Sequence, residues 1–334
     1  MAVNLKGRHF LRVADFSTEE LQYLLDLSKQ LKNDKFTKRE KPNMAGKNVV
    51  LLFQKDSTRT RCAFEVGAMD QGANVTYIGP SGSHMGTKES IADTARVLSR
   101  MYDGIEFRGN EHQIVEDLAK YSHVPVWNGL TDEWHPTQML ADYLTIFEAR
   151  GTLLGTKFAY FGDARNNMAH SYIIMAAKFG VDMRIGAPKE LWPSQEIQDM
   201  AAELNEQTGG SLLLTEDAKV AADGANVITT DVWVSMGEPK EVWKERIELL
   251  LPYQVNSELI SYASDDFIFL HCLPAFHDLE TQVARDIKET FDVGENGLEV
   301  TNDVFESKHS YAFQEAENRL HTIKAIMVAT IGNI

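Results

Sequence analysis

The sequence predicts an α/β protein of two doubly wound parallel-sheet domains, with an interdomain helix and a C-terminal helix that crosses back to the first domain. Three observations lead to this prediction. The chain has 334 residues, which is too long for one ordinary core and fits two domains of about 150 residues each. Short apolar runs typical of buried parallel strands alternate with helical patterns. This alternation starts afresh after Gly151, so we place the domains at 1–150 and 151–310 and the C-terminal helix at 311–334.

The composition is that of a globular, enzyme-sized protein, 43% hydrophobic and 25% charged. Lys and Arg total 33 against 49 Asp and Glu, a net charge of −16, so we expect no general attraction for nucleic acid or anionic membranes. The two cysteines give no disulfide framework, and the sequence around each predicts burial. The N-terminus lacks an apolar signal segment, and no apolar run of about 18 residues occurs, which predicts a cytoplasmic protein.

An anion site is predicted where the apolar run at 49–52 leads into residues 57–61. We interpret this region as a strand, a loop and the first turn of a helix, whose N–H groups and dipole attract negative charge. The segment adds three hydroxyl groups and two guanidinium groups, on Ser57, Thr58, Thr60, Arg59 and Arg61. Ser57 as a simple helix cap is the alternative, but capping needs only one hydroxyl. No Walker A pattern occurs, so the sequence favours a phosphate smaller than a nucleoside triphosphate.

The loop at 79–88 is rich in Gly and Ser and predicts irregular structure. Its His84 and Lys88 have the length and chemistry to contact an anion. A solvated surface loop explains the same residues equally well. The sequence therefore leaves the role of this loop open.

Two further polar groups follow the next strands of the first domain. Arg108 ends a short strand at the edge where open α/β sheets bind ligands. His135 precedes a Pro-Thr-Gln helix start, and its ring N–H and the Gln138 amide suit a carbonyl oxygen that becomes negative during acyl transfer. A buried structural histidine is the alternative for His135. We place the crossing between domains on the helix at 137–150.

The second domain opens with a strand at 157–161 and a turn that contains one glycine, Gly162. Because the G-x-G-x-x-G pattern is absent, the sequence argues against a nicotinamide cofactor. Asn166 and Asn167 in the same turn suit a polar, zwitterionic ligand instead. We predict neither a cofactor nor a metal site.

Two later strands of this domain also end in polar motifs. Asp231 follows the strand at 225–230, and the hinge-like residues 235–237 come four positions later, an arrangement suited to binding an ammonium group and closing over it. A surface loop is the alternative, but it would leave Trp233 exposed. The strand at 267–270 leads into His271-Cys272-Leu273-Pro274.

With these motifs in this order, the chain resembles the transcarbamylases, and among them the ornithine carbamoyltransferases, over nearly its whole length. The motifs are Ser57-Thr58-Arg59-Thr60-Arg61, His135-Pro136-Thr137-Gln138, Asp231 with Ser235-Met236-Gly237, and His271-Cys272-Leu273-Pro274. The resemblance implies transfer of a carbamoyl group from carbamoyl phosphate to the δ-amine of L-ornithine, giving citrulline and phosphate. It also implies a homotrimer, or a multiple of trimers, with active sites shared between subunits.

Individual roles follow from the resemblance alone. The phosphate of carbamoyl phosphate would be held by Ser57, Thr58, Arg59 and Thr60. Its carbonyl oxygen would be held by Arg108, His135 and Gln138. The same pocket would be completed by Pro136, Thr137, Cys272, Leu273 and Arg319. Ornithine would contact Asn167, Asp231, Ser235 and Met236. The catalytic set would be Arg59, Arg108, His135, Cys272 and Arg319. His84 stands where many bacterial members carry glutamine, in the loop that reaches a neighbouring subunit's site.

Other acceptors and one non-enzymatic function remain open. Aspartate as acceptor would require extra arginine near its second carboxylate, whereas residues 231–237 and 271–274 supply none. Putrescine lacks the amino acid head group that Asp231 and the Ser-Met-Gly motif suit. A phosphate- or amino-acid-binding protein would not need the oxyanion donors His135 and Gln138. Both directions of the reversible reaction, in arginine synthesis or breakdown, fit the sequence.

Overall fold

The computed structural model describes residues 3–234 and 240–333. The chain folds into two compact units, Met1–Leu144 with Ala316–Ile334, and Thr145–Glu315. Both boundaries fall inside helices, at residues 144–145 and 315–316. No helix within the described ranges is both long and apolar enough to cross a bilayer.

The first unit is built around a four-stranded parallel sheet in the order β2-β1-β3-β4. Its elements in chain order are α1 (Thr18–Phe36), β1 (Asn48–Phe53), α2 (Arg59–Asp70), β2 (Asn74–Ile78), α3 (Ile91–Leu98), β3 (Gly104–Arg108), α4 (His112–Tyr121), β4 (Val126–Leu130), the start of α5 (Pro136–Arg150) and most of α13 (Ala312–Ile331). Since β1 pairs with β2 on one side and β3 on the other, the chain direction across the sheet reverses between β1 and β3. Ligands of open α/β sheets bind at this point, outside the carboxyl ends of the strands.

The second unit contains a five-stranded parallel sheet in the order β7-β6-β5-β8-β9. Its elements are the end of α5, β5 (Lys157–Phe161), α6 (Asn167–Lys178), β6 (Asp182–Gly186), α7 (Gln195–Thr208), β7 (Ser211–Thr215), α8 (Ala218–Ala222), β8 (Val227–Thr230), α9 (Lys240–Leu250), α10 (Ser257–Ile260), β9 (Ile268–His271), α11 (Gln282–Phe291), α12 (Asn302–Phe305) and the start of α13. The corresponding reversal lies between β5 and β8. The predicted pair of parallel-sheet α/β domains is confirmed.

The start of α1 shows how local sequence positions these elements. The Ser17 side chain accepts a hydrogen bond from the Glu20 N–H, and the Glu20 carboxylate accepts one from the Ser17 N–H. This capping box satisfies two N–H groups that the first helical turn leaves without intrahelical partners. The inner face of α1 includes five buried residues, Leu21, Leu24, Leu25, Ser28 and Leu31.

Two details differ from the sequence-based predictions. Cys62, expected to be buried, is exposed. The buried residues of α2 are Thr60, Ala63, Phe64, Gly67 and Ala68. Their helical spacing leaves Cys62 on the opposite face. Strand β7 was not anticipated, because its half-exposed leucines follow Gly209 and Gly210 directly and lie at an edge of the sheet.

Candidate active site

A first group of candidate site residues, in the first unit, lies at the carboxyl ends of β1 and β3. Helix α2 begins at Arg59, and the Ser57 hydroxyl accepts a hydrogen bond from the Thr60 N–H at 3.3 Å. Ser57 therefore does cap the first turn, as the simpler interpretation had it. Thr58, the residue that precedes the helix, makes no side-chain capping bond. Arg59 is half-buried, whereas Thr60 is buried.

Two guanidinium groups converge on the Thr60 hydroxyl. Arg108, at the end of β3, donates to Thr60 Oγ1 at 3.1 Å. Arg319, a buried residue of α13, donates to the same oxygen at 2.8 Å. A hydroxyl oxygen has two lone pairs and can accept both bonds. The side chain at the second position of α2 thus holds together two cations from distant parts of the chain.

Arg319 also contacts the start of α5. Its Nη1 donates to the Gln138 side-chain oxygen at 2.8 Å and lies 3.3 Å from His135 Nε2, and its Nη2 lies 3.4 Å from the Thr137 hydroxyl oxygen. Gln138 Nε2 in turn donates to Asp142 at 2.8 Å. One of the two N–H groups of the Gln138 amide, which was predicted to face a substrate oxygen, is therefore hydrogen-bonded to a carboxylate one helical turn away.

The protonation of His135 follows from these contacts. Burial lowers the pKa of its imidazole well below the usual value, and the nearby charges of Arg319, Arg108 and Arg59 lower it further. A guanidinium can only donate, so Nε2 must accept from Arg319 and the ring proton must sit on Nδ1, 3.4 Å from the Thr137 hydroxyl oxygen. His135 is thus neutral at pH 7, with its ring N–H toward Thr137.

Sequence reasoning missed Glu106, a fully buried residue of β3 two positions before Arg108. The available signal was a carboxylate placed directly between two apolar residues, Ile105 and Phe107, in a predicted buried strand. Asp142 was missed as well, although its spacing from Gln138 is that of a helical i, i+4 pair.

A second group of candidate site residues, in the second unit, lies at the ends of β5, β8 and β9. Asn166 caps α6 by accepting from the Ala169 N–H at 2.9 Å, and its amide nitrogen lies 3.1 Å from the Tyr160 hydroxyl and 3.5 Å from Asp231 Oδ2. Asn167 is the first residue of α6 and is half-buried. Asn166 and Asp231 therefore lie close together at the reversal point of the second sheet, and Asn167 follows directly at the start of α6.

Asp231 is joined there by Cys272. The thiol donates to Asp231 Oδ1 at 3.3 Å, and the same oxygen accepts from the Val232 N–H at 2.8 Å. Burial raises the pKa of the Asp231 carboxyl, while the charge of His271 and these hydrogen bonds act in the opposite direction. Leu273 follows and is half-buried.

A buried His271–Glu299 pair lies next to Asp231. His271 Nε2 is 3.3 Å from a Glu299 carboxylate oxygen, and both side chains are completely buried. Burial by itself would lower the pKa of His271, but the hydrogen bond and charge of Glu299, together with Asp231, raise it overall. The Glu315 carboxylate accepts from the His271 N–H at 2.8 Å, which ties this strand end to the start of α13.

Three predicted site residues remain, of which two lie outside the described ranges and one lies in an exposed loop. The two outside are Ser235 and Met236, and Gly237 of the same motif is outside as well. His84 is exposed in the loop between β2 and α3, where its carbonyl oxygen accepts from the Thr87 and Lys88 N–H groups. Trp233, which precedes the Ser-Met-Gly motif, is buried as expected, with 2% of its surface exposed.

The chain matches two known protein domains along almost all of its length. Residues 8–148 match the carbamoyl-P binding domain of aspartate/ornithine carbamoyltransferases, and residues 154–330 match their Asp/Orn binding domain.

Full-length relatives of the chain are named ornithine carbamoyltransferase. The chain is 59% identical to a catabolic ornithine carbamoyltransferase of Mycoplasma capricolum subsp. capripneumoniae, over 94% of this chain and all of the relative. It is 56% identical to the catabolic ornithine carbamoyltransferase of Chromobacterium violaceum, over all of both chains. The structure of ornithine carbamoyltransferase from Pyrococcus furiosus superimposes with a TM-score of 0.91 over all of both chains, at 40% identity.

Proposed function

Because the chain belongs to the aspartate/ornithine carbamoyltransferase family, we propose that it catalyses reversible carbamoyl transfer. Carbamoyl phosphate and the δ-amine of L-ornithine react to give citrulline and phosphate, and the reverse reaction regenerates them. The observation that supports this most is the convergence of Arg108 and Arg319 on Thr60 at the start of α2. A helix N-terminus with guanidinium groups beside it is a strong phosphate site.

The direction that we propose is the catabolic one, toward carbamoyl phosphate. Both full-length relatives described above are named catabolic, at 59% and 56% identity. The chemistry is reversible, so the same side chains serve both directions by microscopic reversibility.

In the synthetic direction, the phosphate group would bind at the first turn of α2, held by Ser57, Thr58, Arg59 and Thr60. Arg108 would bridge the phosphate and the carbamoyl oxygen, with Arg319 completing the pocket. The neutral δ-amine attacks the carbamoyl carbon, the carbonyl oxygen takes the negative charge, and the carbon–oxygen bond to phosphate then breaks. The amine passes one proton to the departing phosphate, and no covalent bond to the protein forms. Donors aimed at the developing oxyanion lower this barrier.

The start of α5 would stabilise the carbamoyl oxygen. Pro136, Thr137 and Gln138 surround His135, which is neutral and donates through only one ring nitrogen at a time. For His135 to donate through Nε2, the bond from Arg319 must be given up when substrate binds. We infer that carbamoyl phosphate displaces this contact and that Arg319 turns to the substrate.

The ornithine half of the site would lie in the second unit. Asp231 would bind an ammonium group, and Cys272 beside it would orient the attacking amine. Cys272 and Leu273 would also complete the carbamoyl phosphate pocket. Asn167, Ser235 and Met236 would contact the remaining polar and aliphatic parts of ornithine. This assignment is supported by the 3.3 Å contact between the Cys272 thiol and Asp231.

We assign carbamoyl phosphate binding to residues 1–150, ornithine binding to 151–310, and a connecting role to the C-terminal helix at 311–334. We also propose a cytoplasmic homotrimer, or a multiple of trimers, with His84 reaching a neighbouring subunit's site. Light scattering on the purified protein gives the subunit number directly, and a monomer at working concentration would exclude shared sites.

The proposed reaction is tested with purified protein, carbamoyl phosphate and ornithine, putrescine or aspartate as alternative acceptors, with each carbamoylated product quantified. We expect citrulline with ornithine and little product with the other two. Turnover with another acceptor would overturn the assignment of ornithine as substrate, while the assignment of carbamoyl phosphate would stand. Absence of turnover with every acceptor would favour a binding protein.

A further inference from the structure

Glu106 is a fully buried carboxyl group placed next to the guanidinium groups of the anion site. Its side chain is 0% exposed, and neither carboxylate oxygen has a hydrogen-bond partner among the described residues. Buried polar groups nearly always have such partners, so an unsatisfied carboxyl group calls for an explanation. The residue lies two positions before Arg108 on β3, hence on the same face of the strand.

The space around the carboxyl group is defined by Gly129 and Thr60. A Cβ atom added at Gly129 would collide with Glu106 Oε1 and would lie 3.1 Å from Thr60 Cγ2. The carboxyl group therefore fills the gap between the backbone of β4 and the side chain of Thr60. Arg108 and Arg319 both donate to the hydroxyl of this threonine. Any residue larger than glycine at position 129 would displace the carboxyl group.

The charged groups that act on Glu106 are Arg108 on its own strand and Arg319 on α13. The paired positions on the neighbouring strands are Leu51 and Trp127, which carry no charge. Burial raises the pKa of Glu106 well above that of an ordinary carboxyl group, and the two guanidinium groups act in the opposite direction. The protonation of Glu106 thus depends on a balance that includes the cations of the anion site.

We propose that Glu106 is a positioning residue whose proton is linked to substrate binding: the site binds its phosphate dianion with Glu106 protonated, and ionised Glu106 opposes binding. This inference rests on the proposed function, which places phosphate beside Arg108. A bound dianion offsets the positive charge of Arg108 and Arg319. Ionised Glu106 is then stabilised less by these two guanidinium groups. A neutral acid keeps its place against Thr60 without repelling the dianion.

The linkage has a definite sign. Below the pKa of Glu106 in the free protein, the residue is protonated in both states and binding does not depend on it. Above that pKa, binding requires uptake of a proton, so affinity falls by up to about tenfold per pH unit until the pKa of the complex is reached. The neutral variant Glu106→Gln lacks this dependence.

Isothermal titration calorimetry with inorganic phosphate tests the linkage in wild-type protein, Glu106→Gln and a control, Glu19→Gln. Titrations between about pH 6 and 9, in buffers of different ionisation enthalpy, give both affinity and protons taken up. Comparing variants cancels the titration of phosphate itself. Glu19 is exposed in the first turn of α1, so its substitution removes the same charge away from the site.

We expect wild type and Glu19→Gln to take up more protons than Glu106→Gln, and their affinity relative to Glu106→Gln to fall with rising pH. Identical proton uptake and identical pH profiles in all three proteins would overturn the inference, as would wild-type protein that binds no phosphate. If Glu106→Gln does not fold by circular dichroism, Glu106→Met provides the same comparison. Citrulline formation by the wild type tests the proposed function separately, so failure of one is distinguishable from failure of the other.

Discussion

The guanidinium group of Arg319 donates to the hydroxyl of Thr60 at 2.8 Å, although 259 residues separate them in the sequence. Arg108 donates to the same oxygen at 3.1 Å. One hydroxyl group therefore aligns a cation from α13 and a cation from β3 beside the helix start where we propose that phosphate binds. The contribution of this hydroxyl group can be tested with substitutions of Thr60 that keep it or remove it.

Thr60→Val keeps the shape of the side chain and removes the acceptor for both guanidinium groups. We expect kcat/KM for carbamoyl phosphate to fall by about 10- to 100-fold, the range for losing one or two hydrogen bonds to charged groups. Thr60→Ser keeps the oxygen and is the matched control, with activity within a few-fold of wild type. Steady-state citrulline assays compare the two, and equal activity of the Val and Ser variants would contradict the role of the hydroxyl.

Cys272→Ala removes the thiol that donates to Asp231. Because the thiol contacts the group that we propose binds ornithine, KM for ornithine should rise. Cys62→Ala is the control, since Cys62 is exposed on α2. An unchanged KM for ornithine, with only a lower melting temperature, would show that Cys272 serves packing alone.

The acceptor chemistry predicts a pH dependence. The attacking δ-amine must be neutral, and an alkyl amine with a pKa of about 10.4 is almost fully protonated near neutrality, so its reactive fraction grows about tenfold per pH unit. We expect kcat/KM for ornithine to rise between pH 6 and pH 8. A flat profile, under conditions where the chemical step limits the rate, would contradict direct attack by the free amine.

Protein stability should fall at acid pH partly through His112, which is buried and lies 3.0 Å from the Thr131 hydroxyl. Burial, aided by Arg12, lowers its pKa from 6.5 to about 4. Between these values the unfolded chain binds a proton that the folded chain does not, so unfolding becomes easier as pH drops. We expect this residue to cost about 1–2 kcal/mol between pH 7 and pH 5.

Urea denaturation at both pH values measures this effect. His112→Gln should lose less stability between pH 7 and pH 5 than wild type, whatever its stability at pH 7. His123→Gln, at an exposed position, should follow the wild type. An equal loss in wild type and His112→Gln would assign the acid sensitivity to other groups.

The sequence predicted the parts of the fold that depend on local pattern. Apolar runs located the strand that ends at Arg108 and the strand before Asp231, and Ser57 was recognised as a candidate cap of the helix that follows β1. Parallel strands deliver their carboxyl ends to one edge, so residues that follow different strands could be grouped before any contact was known.

What could not be predicted were contacts that depend on packing between distant elements. Helical periodicity places Arg319 on α13 but does not say that it meets Thr60 and His135, and only the family resemblance put it in their pocket. The pattern of a buried strand treats Glu106 as an exception, because periodicity carries no information on what lies next to a side chain. Cys62 shows the reverse case, since the spacing of buried residues in α2 was available and would have placed it on the exposed face.

Arg59→Gln tests most directly whether the first turn of α2 binds the phosphate of carbamoyl phosphate. Arg61→Gln is the matched control two residues on, because Arg61 is occupied by Glu65 at 2.9 Å and lies over the Tyr77 ring. We expect Arg59→Gln to lower kcat/KM for carbamoyl phosphate by at least about 100-fold, as loss of one charged transition-state contact does, with an unchanged melting temperature. Arg61→Gln should stay within a few-fold of wild type. Full activity of Arg59→Gln, or its unfolding, would contradict the assignment.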